Sequence, residues 1–225
     1  MSVGGFGCMK SNNDISSEDI KMNMLQYAED KYNEKFDVVD FNLAIRGLDS
    51  NYHDVLVLKN NKSIIFNVYS NTDTSECFDD YGISIADKKV SEYFKELSSL
   101  EFCVMVDLLA DDQILPADIN SLSALQLPEK YEIAKIIVVA KVDSINRNID
   151  ELYGLYQLAI ALNPNLIDFE VVSSNGDDEK LDRVFNNIRL DYENDWTQYP
   201  SINESLVATD KNLTKEQFEL LIEEV

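Results

Sequence analysis

Glycine and proline are scarce in this 225-residue chain, at seven and four copies, and three of the glycines fall in the first seven positions. No collagen-like, linker-like or low-complexity tract can be built from so few, and no repeat of fixed period is present. Histidine is scarcer still. His53 is the single copy, which excludes a His-rich zinc site and leaves one candidate for any histidine-based catalysis. It lies between Tyr52 and Asp54 at the edge of an expected strand, and no Gly-x-Ser-x-Gly elbow accompanies it, so it reads as a structural or surface residue. Gly4, Gly5 and Gly7 precede no strand-to-helix switch and no Gly-Lys-Ser/Thr occurs, so a phosphate loop is excluded. Three cysteines make no disulfide framework and include no Cys-x-x-Cys pair. No cofactor and no metal are expected. The apolar run Ile136-Ile137-Val138-Val139-Ala140 has the length of a buried strand, far short of the ~18 residues that span a bilayer.

What the chain has in excess is acid. Nineteen basic residues against forty-two acidic ones leave a net charge of −23, of which −9 falls in residues 1–110 and −14 in residues 111–225. Such a surface repels phosphate backbones and anionic lipid heads alike. Nucleic acid is therefore not an expected partner, and membrane association would need a covalent lipid. Another protein, with basic groups, fits. A hydrophobic content of 45% with 10% aromatics is enough for a packed core.

Ser16-Ser17-Glu18-Asp19 is a helix start, and Ile20, Met24, Leu25, Ala28 and Tyr32 recur at helical spacing through Lys35. Phe41, Leu43 and Ile45 alternate with polar neighbours as in a half-buried strand. Two further strands, Asp54–Lys59 and Ser63–Tyr69, flank a turn at Asn60-Asn61, where asparagine tolerates positive φ. After a polar loop come a helix carrying Val90, Tyr93, Phe94 and Leu97, a strand from Glu101 to Leu109, and a short helical piece between Pro116 and Pro128. Next are a central strand at 131–142, a helix at 148–162 ended by Asn163-Pro164, a strand at 166–172, and a helix at 178–188. Asp177-Asp178-Glu179 supplies acids to the start of that last helix. Thr214-Lys215-Glu216-Gln217 is a capping box opening a terminal helix expected to reach Glu224. The expected class is α+β (mixed α/β): an N-terminal helix, an antiparallel three-stranded meander, then alternating strands and helices on a mixed sheet. Its organisation is a flexible tether over 1–14, a helix-plus-meander half over 15–110, and an alternating half over 111–225, with a soft boundary near 110–117.

Candidate constellations are few. Asn71, Asp73 and Ser75 mimic the start of a calcium loop, but Glu76 stands where the glycine belongs and Gly82 where the bidentate acid belongs. Asp191, Glu193 and Asp195 would share one face of an extended segment, with Leu190, Tyr192 and Trp196 opposite. Tyr192, Trp196 and Tyr199 cluster in a polar segment and are the candidate binding residues, as a contact patch for a protein or sugar; core packing is the favoured reading of such aromatics. Cys103, inside Phe102-Cys103-Val104-Met105-Val106, reads as a buried thiol, with a bridge to Cys77 as the alternative in an oxidising compartment.

The start of the chain carries the remaining signal. Gly5-Phe6-Gly7-Cys8 precedes a mostly polar stretch, then Ile15-Ser16-Ser17-Glu18-Asp19-Ile20, Met24-Leu25-Gln26-Tyr27 and Lys31-Tyr32-Asn33-Glu34-Lys35-Phe36. This quarter resembles small lipoproteins of Gram-positive bacteria, a family that brings no activity to carry over. The resemblance implies lipid attachment at Cys8 and an extracytoplasmic, membrane-anchored location. The chain departs from the pattern in lacking an aliphatic residue three before Cys8, and it shows neither the basic segment nor the apolar stretch of a signal. Two readings stay open, a lipidated Cys8 and an ordinary cysteine on a tail. The functional expectation is a non-enzymatic extracytoplasmic accessory or binding protein. The alternative is an acidic cytoplasmic interaction protein of the inhibitor or immunity kind.

Overall fold

The computed structural model describes residues 16–43, 53–71, 76–109, 114–174, 178–186, 188–191, 199 and 201–224. The chain forms two compact units, Met1–Asp79 and Asp80–Val225. The division falls well before the soft boundary expected near 110–117, because the strand at Glu101–Leu109 pairs with the strand that follows it and so joins the second unit.

The first unit is one helix on an antiparallel sheet. Helix α1, Ser17–Tyr32, opens on a capping box: Ser16 Oγ accepts the Asp19 N–H at 3.2 Å while Asp19 accepts the Ser16 N–H. It stops before the expected Lys35 because Asn33 turns left-handed at φ 50°. Strands β1 (Asp37–Asn42), β2 (His53–Lys59), β3 (Ile65–Asn71) and β4 (Cys77–Asp79) form a meander in that order. The expected three-stranded meander thus has a fourth strand, too short to show alternation, in which Phe78 stacks on Tyr69 at 5.1 Å. The Asn60 turn is present, although the positive φ falls on Ser63 (60°) while Asn60 Oδ1 accepts the N–H groups of Lys62 and Ile64, each at 2.9 Å. Leu56, Leu58, Phe66 and Val68 bury one sheet face with Met24, Ala28 and Phe36, and Phe36 meets Phe66 edge-on at 5.0 Å. Asp79 ties the sheet to the helix end, accepting from Tyr27 (3.0 Å), Tyr32 (2.6 Å) and Lys31 (2.6 Å).

The second unit is a five-stranded mixed sheet. Helix α2, Tyr81–Lys95, precedes β5, Glu101–Leu109. The segment between Pro116 and Pro128 is α3 (Pro116–Asn120), a 3-10 turn at Ala124–Gln126, and α4 (Leu127–Lys130). Then follow β6 (Glu132–Val142), α5 (Ile145–Ala161), β7 (Leu166–Ser174), α6 (Glu179–Asn186) and α7 (Ile188–Asp191). The chain closes with β8 (Ile202–Ala208), α8 (Lys215–Glu219) and β9 (Ile222–Glu224). Strand order is β5-β6-β7-β8-β9, with β6 and β7 parallel and every other pair antiparallel. The expected terminal helix therefore ends five residues early. Its capping box forms as read, but Ile222 pairs with Leu206 instead of continuing the helix, a tertiary pairing that outweighs short-helix propensity.

Alternation along the strands splits the core in two. On one face Tyr156 of α5 packs on Phe169 (5.6 Å) and Phe218 of α8 (5.2 Å), and the Tyr156 hydroxyl donates to the Asp210 carbonyl. On the other, Leu181, Val184 and Ile188 of α6 and α7 cover Cys103, Ile137, Val139 and Val172. Tyr199 and Ile202 complete that cluster.

Candidate functional site

Two adjacent parallel strands whose following helices lie on opposite faces create a crevice at their carboxyl ends, the place where open α/β sheets bind ligands. Strands β6 and β7 meet that condition: α5 packs on the Phe169 face and α6 on the Val139 face. Helix N-termini there offer unpaired N–H groups and a positive dipole end, which favour an anion. In this chain its own carboxylates take both positions. Glu204, from β8, accepts the N–H of Ile145 at the first position of α5 (3.4 Å). Asp178 accepts the N–H groups of Lys180 (3.0 Å) and Leu181 (3.2 Å) at the start of α6, the role read for the acids of that segment.

The polar groups around Asp178 form a chain. Ser174 Oγ donates to Ser201 Oγ at 3.0 Å, and Ser201 Oγ donates to Asp178 Oδ2 at 2.9 Å. Burial pushes the Asp178 carboxyl up, but the N–H of Leu181 and the hydroxyl of Ser201 outweigh it and hold the group below the usual carboxylate range. A carboxylate so depressed is a poor base for a serine proton, so the trio works as a helix cap rather than an activated nucleophile. Nearby, Ser173 Oγ donates to the Asp143 carbonyl (3.3 Å), and Asp143 pairs with the exposed Arg147 at 3.1 Å. Among the described residues no group of three His, Cys, Asp or Glu is placed to hold a metal ion.

A second polar cluster sits at the β5 edge. Arg189 of α7 binds Asp87 of α2 through Nε (2.6 Å) and Nη2 (2.9 Å), reaches Asp107 through Nη1 (3.1 Å), and donates to the Val106 carbonyl (2.7 Å). The Val106 N–H in turn donates to Asp87 at 2.7 Å. Burial alone would lower the Arg189 guanidinium, yet Asp87 and its neighbours raise it, so it stays charged. Burial raises the Asp87 carboxyl against the opposing pull of Arg189. Both main-chain groups of Val106 are thereby satisfied on the outer strand of the sheet. Nothing local in the sequence announces this cluster.

Of the residues expected to carry function, Tyr199 is corrected. It is 1% exposed, inside the α6–α7 core cluster, with the Lys180 ammonium 4.9 Å from its ring centre. The core reading holds for it, because the ring packs in one cluster with Leu181, Val184 and Ile188 of α6 and α7 and Ile202 of β8. Cys8, Tyr192 and Trp196 lie outside the described residues, as do Asp73 and Ser75 of the calcium-like loop. Asp191 ends helix α7, which removes it from the extended acidic face expected there; Glu193 and Asp195 lie outside the described residues. Cys77 and Cys103 are free thiols.

No family model and no curated protein matches this chain. Among solved structures it is similar to a DUF5037 family protein from Ruminococcus gnavus, at 12% identity and a TM-score of 0.57, over 90% of this chain and 98% of that one. A likeness at that identity shows the fold alone, and the fold is α+β.

Proposed function

We propose that this chain is a non-enzymatic accessory or binding protein of the cell exterior, tethered through a lipid on Cys8 and engaging another protein through its acidic surface. The observation that supports the binding part is at the crevice: Glu204 takes the N–H of Ile145, and Asp178 those of Lys180 and Leu181, at the helix N-termini that would otherwise favour a small anion. A net charge of −23 favours a basic protein partner. The tether rests on the Gly5-Phe6-Gly7-Cys8 context and the polar stretch after it. Among the described residues no helix is long and apolar enough to cross a membrane. Tyr192 and Trp196 are the aromatic side chains proposed to meet the partner, now without Tyr199. An acidic cytoplasmic inhibitor or immunity-like protein is the second reading, favoured by the −14 carried by residues 111–225.

Expression from the native gene in a Gram-positive host tests the tether. Mass spectrometry should show a lipid on Cys8, and Cys8→Ala should move the protein from the membrane fraction to the soluble one. An unmodified Cys8 with equal solubility of both forms would discard the tether and leave the cytoplasmic reading.

A further inference from the structure

The amino ends of β6 and β7 hold a groove of about 370 Å³, at the far end of these strands from Glu204 and Asp178. Its size falls within the ~300–1,000 Å³ of small-ligand sites. One wall is the turn from α4 into β6, the other the turn from α5 into β7. Main-chain hydrogen bonds fix both. The Tyr131 N–H donates to the Leu127 carbonyl and the Asn163 N–H to that of Ile160, while the Asn165 N–H joins the walls by donating to Ile133, each at 2.8 Å. A groove held this way needs no ordering when a ligand enters.

Its lining is mixed. Pro128, Tyr131 and Ile133 supply apolar surface, and Glu132, Asn163 and Asn165 supply polar groups. The Asn165 amide donates to Glu132 Oε1 at 2.5 Å, which aligns the pair and engages only one oxygen of the carboxylate. Among the described residues, Glu132 Oε2, the Asn165 side-chain carbonyl and the exposed Asn163 amide have no other hydrogen-bond partner. Glu129 and Glu132 oppose an anion here, since the one cation of the lining, Lys130, is held by Asp118 at 3.3 Å. Donors and acceptors side by side suit hydroxyl groups, each of which both donates and accepts. The C–H face of a sugar ring suits the apolar side beside them.

We propose that this groove binds a neutral carbohydrate, its hydroxyls on Glu132, Asn163 and Asn165 and its C–H face against Pro128 and Tyr131. The site is additional to the protein partner proposed above and does not depend on it.

The test titrates the isotope-labelled full chain with maltose, lactose, cellobiose and chitobiose. At least one should shift the side-chain amide signals of Asn163 and Asn165 saturably, with an affinity that added salt leaves unchanged because the ligand is uncharged. Asn163→Gly keeps the left-handed turn at φ 51°, so folding stays intact while binding weakens about fivefold through the lost hydrogen bond. Asn165→Asp sets a second carboxylate against Glu132 and should weaken binding about tenfold. A salt-sensitive response to spermidine alone would make this a cation site and overturn the proposal. So would silence from all the sugars, or sugar binding that both variants leave intact.

Discussion

Arg189 grips Asp87, 102 positions earlier in the chain, through two parallel hydrogen bonds of 2.6 and 2.9 Å, and together they take the N–H and C=O of Val106. The pair plugs an outer strand. Side chains from α2 and α7 satisfy main-chain groups that would otherwise offer themselves to another strand.

Breaking that pair should be costly. Arg189→Ala leaves a buried carboxylate uncompensated, and a loss of about 3–5 kcal/mol is expected in urea unfolding. Arg189→Met combined with Asp87→Leu should recover part of it, but not all, because Val106 loses both partners. Full recovery would show that the pair does not guard the edge.

Asp178 gives a pH signature. Its folded-state pKa lies below the unfolded value of about 3.9, so its contribution is present above that value and is lost as pH falls through the folded one. Asp178→Ala should cost about 0.5–2 kcal/mol near neutrality, and the gap to the natural protein should shrink in acid. A gap that widens in acid would contradict the direction of the shift.

Cys77 and Cys103, the thiols among the described residues, should separate by reactivity. Cys103 is 8% exposed and burial pushes its pKa far above the usual thiol range, whereas Cys77 is half-buried and raised by burial against a hydrogen bond with Ser70. Alkylation at pH 8 followed by peptide mass mapping should leave Cys103 unmodified until the protein unfolds, with Cys77 reacting first.

Two glycines predict opposite outcomes. A Cβ on Gly82 would lie 2.1 Å from the Ile114 carbonyl oxygen, so Gly82→Ala must displace backbone and should strongly lower the melting temperature. At Gly154, inside α5, a Cβ meets nothing within 4 Å, and Gly154→Ala should stabilise by about 0.5–1 kcal/mol.

Tyr199 belongs to the core, and its truncation should be felt there. Tyr199→Ala is expected to lose about 3–5 kcal/mol of stability, as large aromatic deletions do. A mutant of unchanged stability but weakened protein binding would return Tyr199 to the surface patch.

The sequence alone determined what short-range chemistry can encode. Thr214 with Gln217 closes the capping box read there, and the helix start read at Ser16-Ser17-Glu18-Asp19 is present, closed by Ser16 and Asp19 as a second box. The unbroken apolar run of β6 and the one-sided pattern of α5 identified a buried strand and the helix after it, and with them the α+β class. Strands β8 and β9 were hidden, the first because Asn203-Glu204-Ser205 interrupts its apolar residues, the second because it continues a helical pattern. Both exist through pairing with a strand already in place, an energy no local window contains. The same holds for Tyr199, whose place under α6 no local pattern fixes, and for Asp178, legible only as an acid at a helix start and not as the cap linked to Ser201 and Ser174. Arg189 and Asp87 are the extreme case. Each is one of many charged residues in an acidic chain, and only the packing of α2 and α7 around β5 selects them as partners, by burying them where an unpaired charge could not stay.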